Sequence, residues 1–350
     1  MKRFVLYLAV AALAFSVTAR AGEKLWPKGT PTVYVGFGAG GGTDTAVRPL
    51  IIKMQEYLGE TINVVNMPGA VSAVAAEHVM GLPKDGYSMF ATGSGCFGGF
   101  QINDTAPNGV PWAWTAYHSV QGPAAVIVNP EKSGIDTFDK LVERLRKGDV
   151  SVGVSGFGAG VHVIAASIAK AAGVDDVNYV TFDSCRATAV GVIAGEIEVG
   201  VISFSAGIDF AANGDMLALA LNQPGPLKLN DKVTIPGIPE VFPEGKDLPR
   251  LAETWPLMIS RETPKHILDK LEEAFRWAIQ QDAIKEFAKK NGMVIIGLSR
   301  EEADKFLDYQ YCAYTWVLRE ANMGDEDPRK FDIPTADEWN WDKRKSLYGY

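Results

Sequence analysis

Cysteine, histidine and positive charge are all scarce in this chain. Three cysteines (Cys96, Cys185, Cys312) and four histidines (His78, His118, His162, His266) are scattered over 350 residues. No CxxC pair or Cys/His spacing marks a zinc site, and the odd cysteine count leaves at least one thiol unpaired. Small buried residues are the expected role for all three. HExxH, a GxSxG nucleophile elbow and S-x-x-K with partner motifs are all missing, so no catalytic residue, metal or cofactor is expected. Acids outnumber bases by 42 to 34, a formal net charge of −8. Such a chain is a poor partner for nucleic acid or anionic lipid.

Long hydrophobic runs are also missing, with one short exception at the N-terminus. Lys2 and Arg3 precede an apolar stretch over residues 4–15, too short to span a bilayer, and Ala19-Arg20-Ala21 supplies a small-x-small cleavage site. Residues 1–21 are therefore expected to be a signal peptide cleaved after Ala21. Its removal takes away Lys2, Arg3 and Arg20 and moves the net charge to −11. The remaining 329 residues suggest two domains.

What the chain has in plenty is glycine, and a pattern that occurs twice. The apolar strand 32–36 enters Phe37-Gly38-Ala39-Gly40-Gly41-Gly42-Thr43-Asp44, and an apolar helix follows to Leu58 and Gly59. The strand 150–154 enters Ser155-Gly156-Phe157-Gly158-Ala159-Gly160, and a second helix follows to Ala172 and Gly173. Each unit should aim backbone N–H groups, at the positive end of a helix dipole, toward an anion. Two such ends suggest two domains gripping one anionic ligand. Gly36-x-Gly38-x-x-Gly41 also fits the dinucleotide fingerprint, but the second strand ends in Asn66 where an acid should hold the ribose. Neither loop carries the Gly-Lys-Ser/Thr of a P-loop.

Strands and helices alternate from residue 32 to about 222, implying a largely parallel α/β architecture. Val47, Leu50, Ile51, Met54 and Leu58 form one helical face, within which Pro49 predicts a kink or a delayed start. Residues 93–117 are expected to be irregular and 223–250 a surface connection. Helices are predicted over 264–281, 282–291 and 299–321, and residues 325–350 as a tail over the surface. His162, in the first turn of the second helix, can donate to an anion as neutral imidazole or make a structural contact at the helix end. Asp44 can cap its helix or meet a ligand amine or hydroxyl.

Several further residues follow one another in a specific order. These are residues 31–35, Gly40-Gly41-Gly42-Thr43-Asp44, Arg48, Asn66-x-Pro68-Gly69-Ala70 and Asp85-Gly86-Tyr87. Val128-Asn129-Pro130, Ser155-Gly156-x-Gly158, Ala194-Gly195-Glu196-Ile197 and Thr263-Pro264 continue the series. Over residues 30–323 the chain resembles the extracytoplasmic receptors of tripartite tricarboxylate transporters, the Bug receptors. That resemblance implies a type II periplasmic-binding-protein (Venus flytrap) α/β fold, each lobe a mixed sheet flanked by helices. It implies a periplasmic monomer that binds a small organic carboxylate and delivers it to membrane permease subunits. The lobes are expected at 22–122 with 223–324 and at 123–222, hinged near Gln121-Gly122-Pro123 and Leu221-Asn222-Gln223-Pro224.

The ligand residues implied are Phe37, Gly38, Ala39, Gly40, Gly41, Thr43 and Asp44 in one lobe. In the other they are Ser155, Gly156, Phe157, Gly158, Ala159 and His162, with Ser94, Asp183 and Ser203 completing the set. The chain departs from the family at Ala39 (usually proline), Met67 (usually arginine) and Val71-Ser72 (usually Gly-Gly). Phe182-Asp183-Ser184 replaces a common Tyr-Lys-Gly, which favours an amino- or hydroxyl-bearing acid over a plain dicarboxylate. An exported α/β enzyme for a carboxylate or phosphate ester, and a ligand-sensing subunit, are the alternative functions.

Overall fold

The computed structural model describes residues 26–247 and 253–350, so the predicted leader lies outside the described residues. Two sheets organise the chain. The first has seven strands: β1 (Thr32–Val35), β2 (Asn63–Asn66), β3 (Ser88–Ala91), β4 (Trp114–Gly122), β12 (Glu253–Thr254), β13 (Leu257–Ser260) and β14 (Val294–Leu298). The second has five: β5 (Ala124–Val128), β6 (Ser151–Val154), β7 (Asn178–Thr181), β8 (Val199–Ser203) and β9 (Leu217–Leu221). A hairpin of β10 (Leu227–Lys228) and β11 (Thr234–Ile235) lies between β9 and β12.

The two sheets share one plan. In the first, β1 runs parallel between β2 and β3, and β13 pairs antiparallel with β3 and β4. In the second, β6 runs parallel between β7 and β8, and β5 pairs antiparallel with β8 and β9. The chain crosses directly from β4 through Pro123 into β5 and returns after β9. Each sheet is thus a mixed α/β layer, and the pair forms the two lobes of a periplasmic-binding-protein fold.

Flanking helices supply the cores. They include α1 (Gly42–Leu58), α2 (Ala73–Met80), α3 (Phe138–Lys147), α4 (Gly160–Ala171), α5 (Cys185–Ala194), α6 (Lys265–Ala278), α7 (Asp282–Lys290) and α8 (Arg300–Glu320). The apolar face of α1 is buried as its periodicity predicts. The expected kink or late start at Pro49 does not occur, since α1 runs on from Gly42 through it. Thr45, whose carbonyl Pro49 leaves without a helical donor, lies on the same half-exposed face, where water can satisfy it.

Two segments differ from the sequence expectation, and the tail over 325–350 is held by specific contacts. Residues 114–117, expected to be irregular, open β4; its Tyr, His, Ser and Gln hide the strand alternation although nearly every residue is buried. The 223–250 connection carries the β10–β11 hairpin and buries Ile235, Ile238 and Phe242. The tail over 325–350 docks on α8 through buried polar groups. Arg344 Nε and Nη2 donate to Asp308 at 2.6 and 2.9 Å, and Trp339 Nε1 and Tyr348 Oη donate to the same carboxylate at 2.8 and 3.0 Å.

Candidate ligand site between the two lobes

The first glycine-rich loop is held by α1 itself. Gly40 takes φ +72°, a conformation that costs a side chain strain, and its N–H donates to Asp44 Oδ2 at 2.9 Å. Asp44 Oδ1 accepts from Arg48 Nε at 2.8 Å and Asn66 Nδ2 at 2.9 Å. Burial pushes this carboxyl up, but hydrogen bonds from Arg48, Gly40 and Asn66 outweigh it and hold it below the usual range. Asp44 therefore fixes the loop and spends its acceptors inside its own lobe.

The loop then meets the other lobe. Gly38 N–H donates to the Asp183 carbonyl at 3.1 Å. A Cβ on Gly42 would lie 2.6 Å from Cβ and Oγ of Ser203 and 3.2 Å from Trp255 Nε1, so only glycine permits this approach. At the start of α4, a Cβ on Gly160 would lie 3.1 Å from Glu253 Oε1 and 3.5 Å from Tyr314 Oη. The protein's own groups thus stand at both helix starts.

Beside them opens a cavity of about 340 Å³, walled by Phe37, Pro68, Gly69, Ala70, Val71, Cys96, Phe100, Asn103, Thr105, Ser155, Gly156, Phe157, Gly158, Thr181, Phe182 and Asp183, among others. A smaller recess of about 20 Å³ adjoins it, lined in part by Gly41, Thr43, Ala159, Cys185, Ser203, Glu253 and Trp255. Phe37, Cys96 and Ser155 line both spaces. Among the described residues no Lys, Arg or His lines either one, and the acids that do are Asp183 and Glu253.

The predicted residues therefore divide into three groups. Phe37, Ser155, Gly156, Phe157, Gly158 and Asp183 line the larger cavity, and Gly41, Thr43, Ala159 and Ser203 the recess. Gly38, Ala39, Gly40, Asp44, Ser94 and His162 line neither. His162 Nδ1 accepts from Gly158 N–H at 2.9 Å, and the ring packs edgewise against Phe157 and Tyr179. It faces a separate recess with Lys170 and Asn322 and shapes the second loop from behind. Burial lowers its pKa to about 4, which keeps the imidazole neutral.

Glu253 is the residue that sequence reasoning missed. It is 7% exposed, Ser203 Oγ–H donates to its Oε2, and burial pushes its carboxyl up to about 7. Its one sequence signal is an acid two residues before the apolar run Trp255-Pro256-Leu257-Met258-Ile259. Asn103, Thr105 and Phe100 were hidden in the segment expected to be irregular.

A family model described as the tripartite tricarboxylate transporter family receptor matches residues 46–323. The chain belongs to that family. The receptor is 21% identical to BugT of Bordetella pertussis over 323 residues, covering 90% of this chain and 95% of BugT. Its fold is similar to that of the periplasmic binding protein BugD, with a TM-score of 0.77 at 19% identity, covering 85% of this chain and 99% of BugD. It is also similar to MatC from Rhodopseudomonas palustris with bound malate (TM-score 0.74, 19% identity, 84% and 100% covered). A further R. palustris structure, with adipate, gives a TM-score of 0.76 at 18% identity, covering 85% and 99%. Among the described residues, no helix of the receptor is long and apolar enough to cross a membrane, and no group of three or more His, Cys, Asp or Glu side chains could hold a metal.

Proposed function

We propose that this receptor is an exported periplasmic monomer that binds a small organic acid between its lobes and presents it to membrane permease subunits. Its work is binding and closure, without chemistry. The observation that carries this reading is the 340 Å³ cavity, which is built jointly by glycine loops from two separate sheets. Neither loop encloses a ligand alone, so occupancy must favour the closed arrangement. Residues 22–122 with 223–324 move as one lobe against 123–222, about the connections at Pro123 and beyond Leu221. Malate and adipate, bound by two structural neighbours, are the first probes.

Calorimetric titration with a panel of mono- and dicarboxylates, amino acids and hydroxy acids tests the reading. At least one acid is expected to bind with micromolar affinity, about −8 kcal/mol, and to be recovered unchanged. Small-angle scattering should show a smaller radius of gyration at saturation. Turnover of a bound acid would instead establish an enzyme, and a panel that does not bind at all would overturn the receptor reading.

A further inference from the structure

Glu253 stands where a ligand's carboxylate would profit most from the α4 helix start. Its Oε1 lies against Gly160, the first residue of α4, and its Oε2 accepts from Ser203, which itself packs on Gly42, the first residue of α1. A buried carboxyl in that place does electrostatically what a ligand carboxylate would do. It lines the small recess that adjoins the cavity, and Asp183 lines the cavity itself. Among the described residues no cationic side chain lines the cavity or the recess to offset them. The remaining wall is largely apolar and aromatic.

Resting on the receptor reading above, we propose that Glu253 replaces one carboxylate of the ligand and sets its class. The site takes an acid with a single carboxylate, an apolar body, and a hydrogen-bond donor directed at Glu253, such as an ammonium, amide or hydroxyl. It discriminates against dicarboxylates, whose second charge would meet Glu253 in a site with little water to screen it. Asn103, Thr105 and the loop amides remain for the single carboxylate.

Glu253 is also the group whose proton decides the discrimination. Cys96, Cys185 and Tyr314 face it; burial raises the Cys96 thiol to about 12 and pushes the other two up as well, so all three stay neutral near pH 7. Ser203 does not titrate, and Asp183 lies across the neighbouring cavity.

The test is calorimetric titration of matched acids into wild type and Glu253→Gln, a variant of nearly the same shape without the charge. The pairs are adipate with 6-aminohexanoate, and terephthalate with 4-aminomethylbenzoate. At pH 8 wild type should bind at least one amino acid of these pairs tenfold or more tighter than its dicarboxylate partner. Glu253→Gln should cut that ratio to threefold or less. Lowering the pH from 8 to 6 should tighten dicarboxylate binding to wild type, a readout that does not depend on the variant folding, and should leave the variant unchanged. Equal binding of both members of each pair by wild type would overturn the proposal, as would failure of both amino acids to bind. Binding elsewhere in the wider acid panel would then show that the receptor reading itself survives.

Discussion

Two buried carboxylates divide the receptor's first lobe. Asp308 on α8 receives a bidentate Arg344, the Trp339 indole and the Tyr348 hydroxyl, so both of its oxygens are fully engaged. Glu253 on β12 is nearly as deeply buried but, among the described residues, has one hydroxyl donor, Ser203, and no cation. Both burials cost desolvation; only Asp308 recovers it within the fold. The first carboxylate serves the structure. The second is held at a disadvantage beside an open cavity, the kind of expense that stability alone does not explain.

The sharpest break of this contrast is at Arg344. Arg344→Leu should leave Asp308 charged, buried and without a cation, costing about 3–5 kcal/mol of folding stability. Urea unfolding measures this; a loss below 1 kcal/mol would mean the tail's dock matters little.

Next in size is Glu253→Gln, which should act in the opposite direction. A carboxyl raised from 4.5 to about 7 favours the protonated folded state, so stability should fall as pH rises from 4.5 through 7 and then level off. Removing the charge should regain up to about 3 kcal/mol at pH 8 and almost nothing at pH 4.5. His118 and His162, lowered by burial to about 3 and about 4, have the opposite sign: stability through them drops as pH falls below 6.5. The difference between wild type and variant at each pH therefore isolates Glu253. A difference independent of pH would refute the assignment.

Gly42→Ala sharpens the comparison from the far side of the cleft. Its methyl group would displace Ser203, which donates to Glu253, and hold the lobes apart. Ligand affinity should fall at least tenfold while the melting temperature of the free protein changes by only a few degrees. Unaltered affinity would separate closure from this contact. The smallest effect is expected at His162→Leu, which loses the acceptor for Gly158 N–H at a cost of about 1–3 kcal/mol. It should leave the preference between matched acids intact, because His162 lines neither cleft space.

The duplicated strand–loop–helix units were legible because glycine turns and helical periodicity are local signals. Val47, Leu50, Ile51, Met54 and Leu58 show the inward face of α1 without knowledge of any partner. β4 was obscured because both of its faces are covered by lobe packing, which lets Tyr117, His118 and Ser119 occupy buried positions that alternation would assign to water. Glu253 was obscured for a related reason. Its meaning depends on Gly160 and Ser203, 93 and 50 residues away in sequence. Resemblance to the family pointed to Phe37 and Ser155–Gly158, yet it could not indicate that this chain's own side chain stands at a helix start.

The passage from β4 to β5 also has a consequence for the order in which the molecule can be finished. All five strands of the second sheet come from one continuous stretch, 124–221, whereas the first sheet waits for β12 to β14 and then for the tail. The clamp on Asp308 needs Arg344, 36 residues further along the chain and beyond the last strand of the sheet. A polypeptide that stops before Arg344 would enclose Asp308 without its cation. Such a product should open readily and be destroyed by proteases, so the buried pair ties the first lobe's stability to residues that follow its last strand.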